Sequence, residues 1–366
     1  MREHFHVPDN YFLTHSVGCL QRNAEAALGD GFFTPWKTGT NWDEWMPLFD
    51  SFRGGLAELL GVKTASICPQ TNISSALTKI LYSLPEPRSD KKTILLSKED
   101  FPTIGFVFKQ AERMGFTLKF VEGAPTDIGN WERAIDASIA VVHITHALSN
   151  TSHLVPVPDI CALARQYEAV SIVDMAQSFG VVPIPLTEWN ADFAIGTGVK
   201  FLCFGPGACF LYAAPHILPD CQPIDVGWFS HENPFEMDIE RFRYAEDAMR
   251  FFGGTPSPAP FVLGLNAIQL WQDIGLGVVH RFIDAKLAAL HKAFPHEIIA
   301  SPTTSGPRGG TLVIAPPNRD SLRQAITANN LLCDERPQGF RFSVHGYTSD
   351  AELETLTHII LESQKI

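Results

Sequence analysis

The 366-residue chain contains no CxxC pair, and its seven cysteines are odd in number and scattered at 19, 68, 161, 203, 209, 221 and 333. That pattern argues against a disulfide framework and against a structural zinc site, and it fits semi-buried thiols in a reducing compartment; no metal is expected. Positive charge is also scarce: 28 Lys and Arg face 40 Asp and Glu, a formal net charge of −12. A nucleic-acid binder needs a basic stripe, so no nucleic-acid partner is expected. No stretch approaches the roughly 20 apolar residues that span a bilayer. The longest apolar segment, 201–214, is broken by Gly205, Pro206 and Gly207. The first residues, Met1-Arg2-Glu3-His4-Phe5-His6, have no apolar signal core. The expectation is a cytoplasmic protein with no membrane partner. Charged residues make up only 19% and apolar residues 45%, which is a folded composition, long enough for one large domain and a smaller one.

No internal repeat or low-complexity tract interrupts the chain. Short apolar runs read as strands at 65–68, 93–96, 118–121, 139–144 (interrupted only by His143), 170–173, 191–195 and 209–213. Helical spacing fills 72–84, 106–114 and 158–167 between them. Buried strands alternating with helices predict an α/β fold with a mainly parallel sheet covered on both faces. After about residue 258 the pattern changes to helices over 261–271 and 278–294, strands at 310–314 and 340–344, and a closing helix over 350–363. This predicts a smaller α+β C-terminal domain. Gly253-Gly254-Thr255-Pro256-Ser257-Pro258 marks the boundary. The expected division is an N-terminal segment 1–20 packing on the small domain, a large domain 21–257, and a small domain 258–366.

Two residues carry the chemistry. Asp174 ends an apolar strand, where ligands of parallel sheets bind. Lys200 follows the next strand and sits between Val199, Phe201 and Leu202, where desolvation lowers an amine's pKa and suits it to imine formation. An acid and an amine so placed suggest pyridoxal phosphate, the acid holding the ring nitrogen and the amine its aldehyde. Spacing alone leaves a surface lysine and a turn aspartate as the alternative. Thr71 and Asn72 precede a helix and offer a phosphate cradle, or ordinary helix capping. Phe101 is placed to stack on a ring, or to pack in the core. Thr255 offers a hydroxyl in a tight loop and Trp228 an indole N–H.

In that order the chain resembles the fold-type-I pyridoxal-phosphate enzymes of the class V aminotransferase superfamily, and within them it is most similar to kynureninases. The match is carried by Lys200-Phe201-Leu202-Cys203-Phe204-Gly205-Pro206-Gly207, then Val226-Gly227-Trp228-Phe229-Ser230-His231, Arg250-Phe251-Phe252-Gly253-Gly254-Thr255-Pro256 and Phe101-Pro102-Thr103. It extends from about Tyr11 to Pro258, and weakly to Phe340-Arg341-Phe342-Ser343. The resemblance implies a seven-stranded-type sheet in an aspartate-aminotransferase-like large domain and pyridoxal 5′-phosphate as cofactor. It further implies a homodimer with shared active sites and a small-molecule amino-acid substrate. Lys200 would be the Schiff-base lysine and Asp174 the ring-nitrogen partner. Phe101 would stack, and Thr71, Asn72 and Trp228 would hold the phosphate, with Thr255 reaching across from the other subunit. Gln177 would bond the phenolic oxygen, and Arg341 would clamp the substrate α-carboxylate. Phe32, Trp36 and Trp42 are candidates for the substrate pocket.

Three positions depart from the kynureninase pattern: Val199 stands for Tyr, Gln177 for His and Ile104 for Asp. Aliphatic groups at two of them cannot move protons. His15, His146, His153 and His231 are the spare proton-transfer candidates. The implied reaction is Cα deprotonation followed by hydrolytic Cβ–Cγ cleavage of a β-acyl-alanine. An aminotransferase or a C–S β-lyase fits Asp174, Gln177 and Lys200 equally well. Persulfide chemistry would need a late cysteine such as Cys333. A non-catalytic cofactor-binding protein is the remaining reading.

Overall fold

The structure, a computed structural model, describes residues 1–85, 88–302 and 307–364. Its centre is a seven-stranded sheet. The strands are β1 (Ile67–Gln70), β2 (Thr93–Ser97), β3 (Thr117–Val121), β4 (Ile139–Thr145), β5 (Val170–Asp174), β6 (Phe193–Thr197) and β7 (Cys209–Ala213). The spatial order is β1-β7-β6-β5-β4-β2-β3. Pairs from β6 to β3 are parallel, and β7 runs antiparallel between β6 and β1. The mainly parallel α/β sheet expected from the alternation is therefore present. Strands β6 and β7 are buried at every residue, which explains why they read as continuous apolar runs rather than alternating ones.

Helices cover the sheet. The longest, α1 (Asn41–Leu60), was not legible as a helix because Pro47, Gly54 and Gly55 punctuate it. It forms because Phe49 and Phe52 insert against Phe261 at 5.4 and 4.9 Å in edge-to-face contacts, and tertiary burial overrides the local breakers. Helix α2 (Ile73–Leu81) follows β1 and α3 (Pro102–Ala111) follows β2. The α3 reading is shifted: the helix starts at Pro102, whose fixed φ suits the first turn, rather than at 106. Beyond the large sheet, α4 (Pro258–Ile274) and α5 (Leu276–Ala293) lead to a three-stranded antiparallel sheet. It contains β8 (Thr311–Ile314), β9 (Asp334–Arg336) and β10 (Gly339–Ser343) in the order β8-β10-β9. Strand β9 is a polar tripeptide that apolar periodicity missed. Helix α6 (Asp350–Ser363) closes the chain behind a capping box at Ser349 and Glu352. Among the described residues no single helix is long and apolar enough to cross a membrane. Among those residues α4 and α5 pass on length and composition only as a pair, and they bend by 80°.

Candidate active site

The C-terminal ends of β4, β5 and β6 open on a cavity of about 280 Å³. That is close to the lower end of ligand pockets, roughly 300 Å³. Thr145, Asp174 and Thr197 end those strands and line it. Lys200 enters from the turn after β6, Phe101 and Thr103 from the start of α3, and Asn72, Ile73 and Ser74 from the start of α2. Five of the residues singled out in the sequence, Asn72, Phe101, Asp174, Gln177 and Lys200, thus meet around one space.

The two central groups have opposed electrostatics. Burial raises the pKa of Asp174, while the nearby charge of His143, the Ala176 amide and the charge of Lys200 pull it back. The Ala176 N–H donates to Asp174 Oδ1 at 2.7 Å, closing the turn after β5. Burial lowers the pKa of Lys200, Asp174 opposes that shift, and Arg341 adds to it. A lysine pushed toward neutrality is a nucleophile and a base. Its Nζ lies 5.9 Å from the centroid of the Phe101 ring, so the phenyl face bounds the space beside the amine.

The cradle at α2 is mixed. The Asn72 side chain caps the helix, its Oδ1 accepting from Ser75 N at 2.8 Å and from Ser74 Oγ at 2.7 Å. The remaining first-turn N–H groups have no intrahelical acceptor and carry the positive end of the helix dipole toward the cavity. Thr71 is exposed, its Oγ1 accepting from Asn72 Nδ2 at 3.3 Å, and it does not line the cavity. A desolvated lysine, a buried carboxylate, an aromatic face and an anion-binding helix start fit pyridoxal phosphate in this chain.

Other candidates lie elsewhere. Trp228 Nε1 donates to Thr255 Oγ1 at 3.2 Å, and neither residue lines the cavity. Trp36 is 61% exposed and packs edge-on to Phe32, while Trp42 packs edge-on to Trp228; none of these lines the cavity. Arg341 is buried on β10, and the carboxylate of Asp334 engages its Nε at 2.7 Å and its Nη2, while Nη1 donates to the carbonyl of Ser149, a cavity residue. Of the four spare histidines none lines the cavity. Burial pushes His146 down to about 4, and His231 is paired with Glu236 at 2.7 Å. Burial pushes the Cys333 thiol up to about 12, so it is not an activated thiolate.

The sequence reading missed Thr145, Ser149, Thr197 and Cys209 in the lining. A polar residue ending an apolar strand was the available signal for the two threonines. It also passed over His143, which stands on the same face of β4 as Thr145, the neighbour of Asp174 across the ladder. His143 Nδ1 is 3.1 Å from Asp100 Oδ2 and both side chains are buried. Its Nε2 has no partner among the described residues.

The family model for class-V aminotransferases matches residues 40–300. A kynureninase of Pseudomonas fluorescens is 26% identical over 396 residues, covering 99% of this chain and 91% of that protein. A kynureninase of Deinococcus radiodurans is 28% identical over 366 residues, covering 93% and 87%. Among solved structures, a cysteine desulfurase from Thermococcus onnurineus superposes with a TM-score of 0.85 at 18% identity, covering 98% of this chain and 95% of that one. The cystine C–S lyase C-DES, in complex with cysteine persulfide, reaches the same TM-score at 22% identity over 96% and 97%. These structural likenesses establish the fold. The match of the family model across most of the chain places it in the class-V aminotransferase family of pyridoxal-phosphate enzymes.

Proposed function

We propose that this class-V enzyme acts on an α-amino acid as a kynureninase-like hydrolase, cleaving the Cβ–Cγ bond of a β-acyl-alanine. What supports the reaction is the likeness to kynureninases along 93–99% of the chain. What supports the chemistry is the convergence of Lys200 and Asp174 on one cavity. When bound, pyridoxal phosphate supplies an aldehyde for a lysine and an electron-accepting ring. Lys200 would hold it covalently, Asp174 its ring nitrogen and Phe101 its face. The α2 start with Asn72 and Thr71 would hold its phosphate, and Gln177 its phenolic oxygen.

The residues then divide the work. Asp174, whose pKa burial raises and the neighbouring charges pull back, would hold a proton on the atom it faces. The Lys200 amine, whose pKa burial lowers, would take the proton from the substrate Cα. Arg341 Nη1 reaches the cavity wall at Ser149 and would bind the substrate α-carboxylate. The enzyme would be a homodimer. Trp228 and Thr255 pair outside their own chain's cavity, and Thr255 would complete a second copy's site. Phe235, Met237 and Ile239 expose apolar surface nearby, Ile239 to 98%.

A C–S β-lyase reading is favoured by one observation, Gln177 where kynureninases carry His. L-Kynurenine and L-cystine offered in parallel to the holoenzyme separate the two. Alanine with anthranilate supports the first reading; a persulfide product from cystine alone overturns it. Lys200→Ala is expected to abolish the borohydride-reducible visible band, and a band retained in that variant refutes the role of Lys200.

A further inference from the structure

The N-terminal segment bridges the three-stranded sheet and the turn that carries Lys200. At one end the Phe12 N–H donates to the Leu332 carbonyl at 2.9 Å, and the Phe12 carbonyl accepts from Ser343 N at 2.9 Å. At the other the Gly18 N–H donates to the Val199 carbonyl at 2.7 Å. The approach there is so close that a Cβ on Gly18 would fall 2.1 Å from the Lys200 carbonyl oxygen. His15 lies between these anchors, fully buried.

We infer that His15 is a positioning residue that aligns both the substrate-carboxylate clamp and the cofactor-oxygen donor. Its side chain acts on the clamp. Nδ1 is 2.9 Å from Ser343 Oγ, which fixes the ring, and Nε2 is 3.0 Å from Asp334 Oδ1. Asp334 in turn engages Arg341 through Nε and Nη2. With that edge of the guanidinium occupied, Nη1 donates to the carbonyl of Ser149, a residue of the cavity lining. Asp334 has a competing partner, Arg336, whose Nε stands 3.6 Å from Oδ2. The His15 donor therefore holds the carboxylate on Arg341 and keeps it from turning outward.

The main chain of His15 acts on the second group. Its carbonyl accepts one Nε2 hydrogen of Gln177 at 3.1 Å. That bond sets which end of the amide is nitrogen and leaves the other hydrogen for an acceptor in the cavity. One residue of the N-terminal segment thus orients groups from β10 and from the turn after β5.

This rests on the reading of Arg341 as the clamp, and the test separates the two. L-Alanine, the probe, is titrated into holoenzyme, and its dissociation constant is read from the change in the visible cofactor band. His15→Leu is expected to raise that constant about tenfold, the scale of one hydrogen bond to a charged group. His15→Gln, which can place an amide donor near Asp334, is expected to restore it to within about threefold. His15→Leu added to Arg341→Ala is expected to cost nothing more. Unchanged affinity in Arg341→Ala overturns the clamp itself. Weakened binding in Arg341→Ala with full affinity in His15→Leu overturns the role of His15 alone. Equal losses in His15→Leu and His15→Gln assign the effect to packing and also overturn it. If His15→Leu fails to fold, Asp334→Asn carries the test: a similar rise supports the alignment, and unchanged affinity refutes it.

Discussion

Asp174→Asn separates what Asp174 does for the cofactor from what it costs the protein. The variant keeps an oxygen to accept from the Ala176 N–H, so the turn after β5 survives and only the charge is lost. A hydrogen bond to a charged group contributes about 1.5–3 kcal/mol, so pyridoxal phosphate should bind roughly 10- to 150-fold more weakly. The apoprotein should move the other way. Burial raises this carboxyl above its ordinary value of 3.8. Its contribution to stability is therefore present below the unfolded value and lost as pH rises through the folded one. Above the folded value, ionising the buried group costs the apoprotein stability, and Asn removes that cost. The gain is read as a rise in Tm. It should shrink as the pH is lowered and the wild-type carboxyl is protonated. Equilibrium dialysis reads the affinity, and thermal unfolding of the apoprotein across pH reads the stability. Wild-type affinity in the variant, or an apoprotein less stable than wild type at neutral pH, refutes the reasoning.

Gly198→Ala should damage the turn that presents Lys200. A Cβ there would fall 1.8 Å from Cδ2 of the Phe204 ring, which is buried. Overpacking costs about 1–3 kcal/mol, and a rigid ring puts this site at the upper end; urea unfolding that matches wild type would contradict it. Ser349→Ala removes half of the capping box of α6 and should cost about 1 kcal/mol in the same assay. The protein should sediment as a dimer, and Met237→Lys with Ile239→Lys should shift it toward monomer with loss of turnover. A monomer that retains full turnover would count against shared active sites.

The parallel sheet was legible because buried strands and their covering helices write opposite periodicities into the chain. Asp174 and Lys200 were legible because one ends such a strand and the other follows one, and ligands meet parallel sheets at that end. Arg341 could be named from its resemblance to the family, but not its engagement by Asp334, which lies on a polar strand with no apolar pattern. Helix α1 was hidden by Pro47 and two glycines until the aromatic contacts with Phe261 were seen. Local pattern tells which face of a segment is buried; it carries no record of which distant segment lies against that face. His15 and Asp334 are 319 positions apart in the chain, and Asp100 meets His143 only because β2 and β4 are neighbours in the sheet. The residue types and the strand ends came from the sequence, while the hydrogen bonds that aim those groups depended on the path of the folded chain.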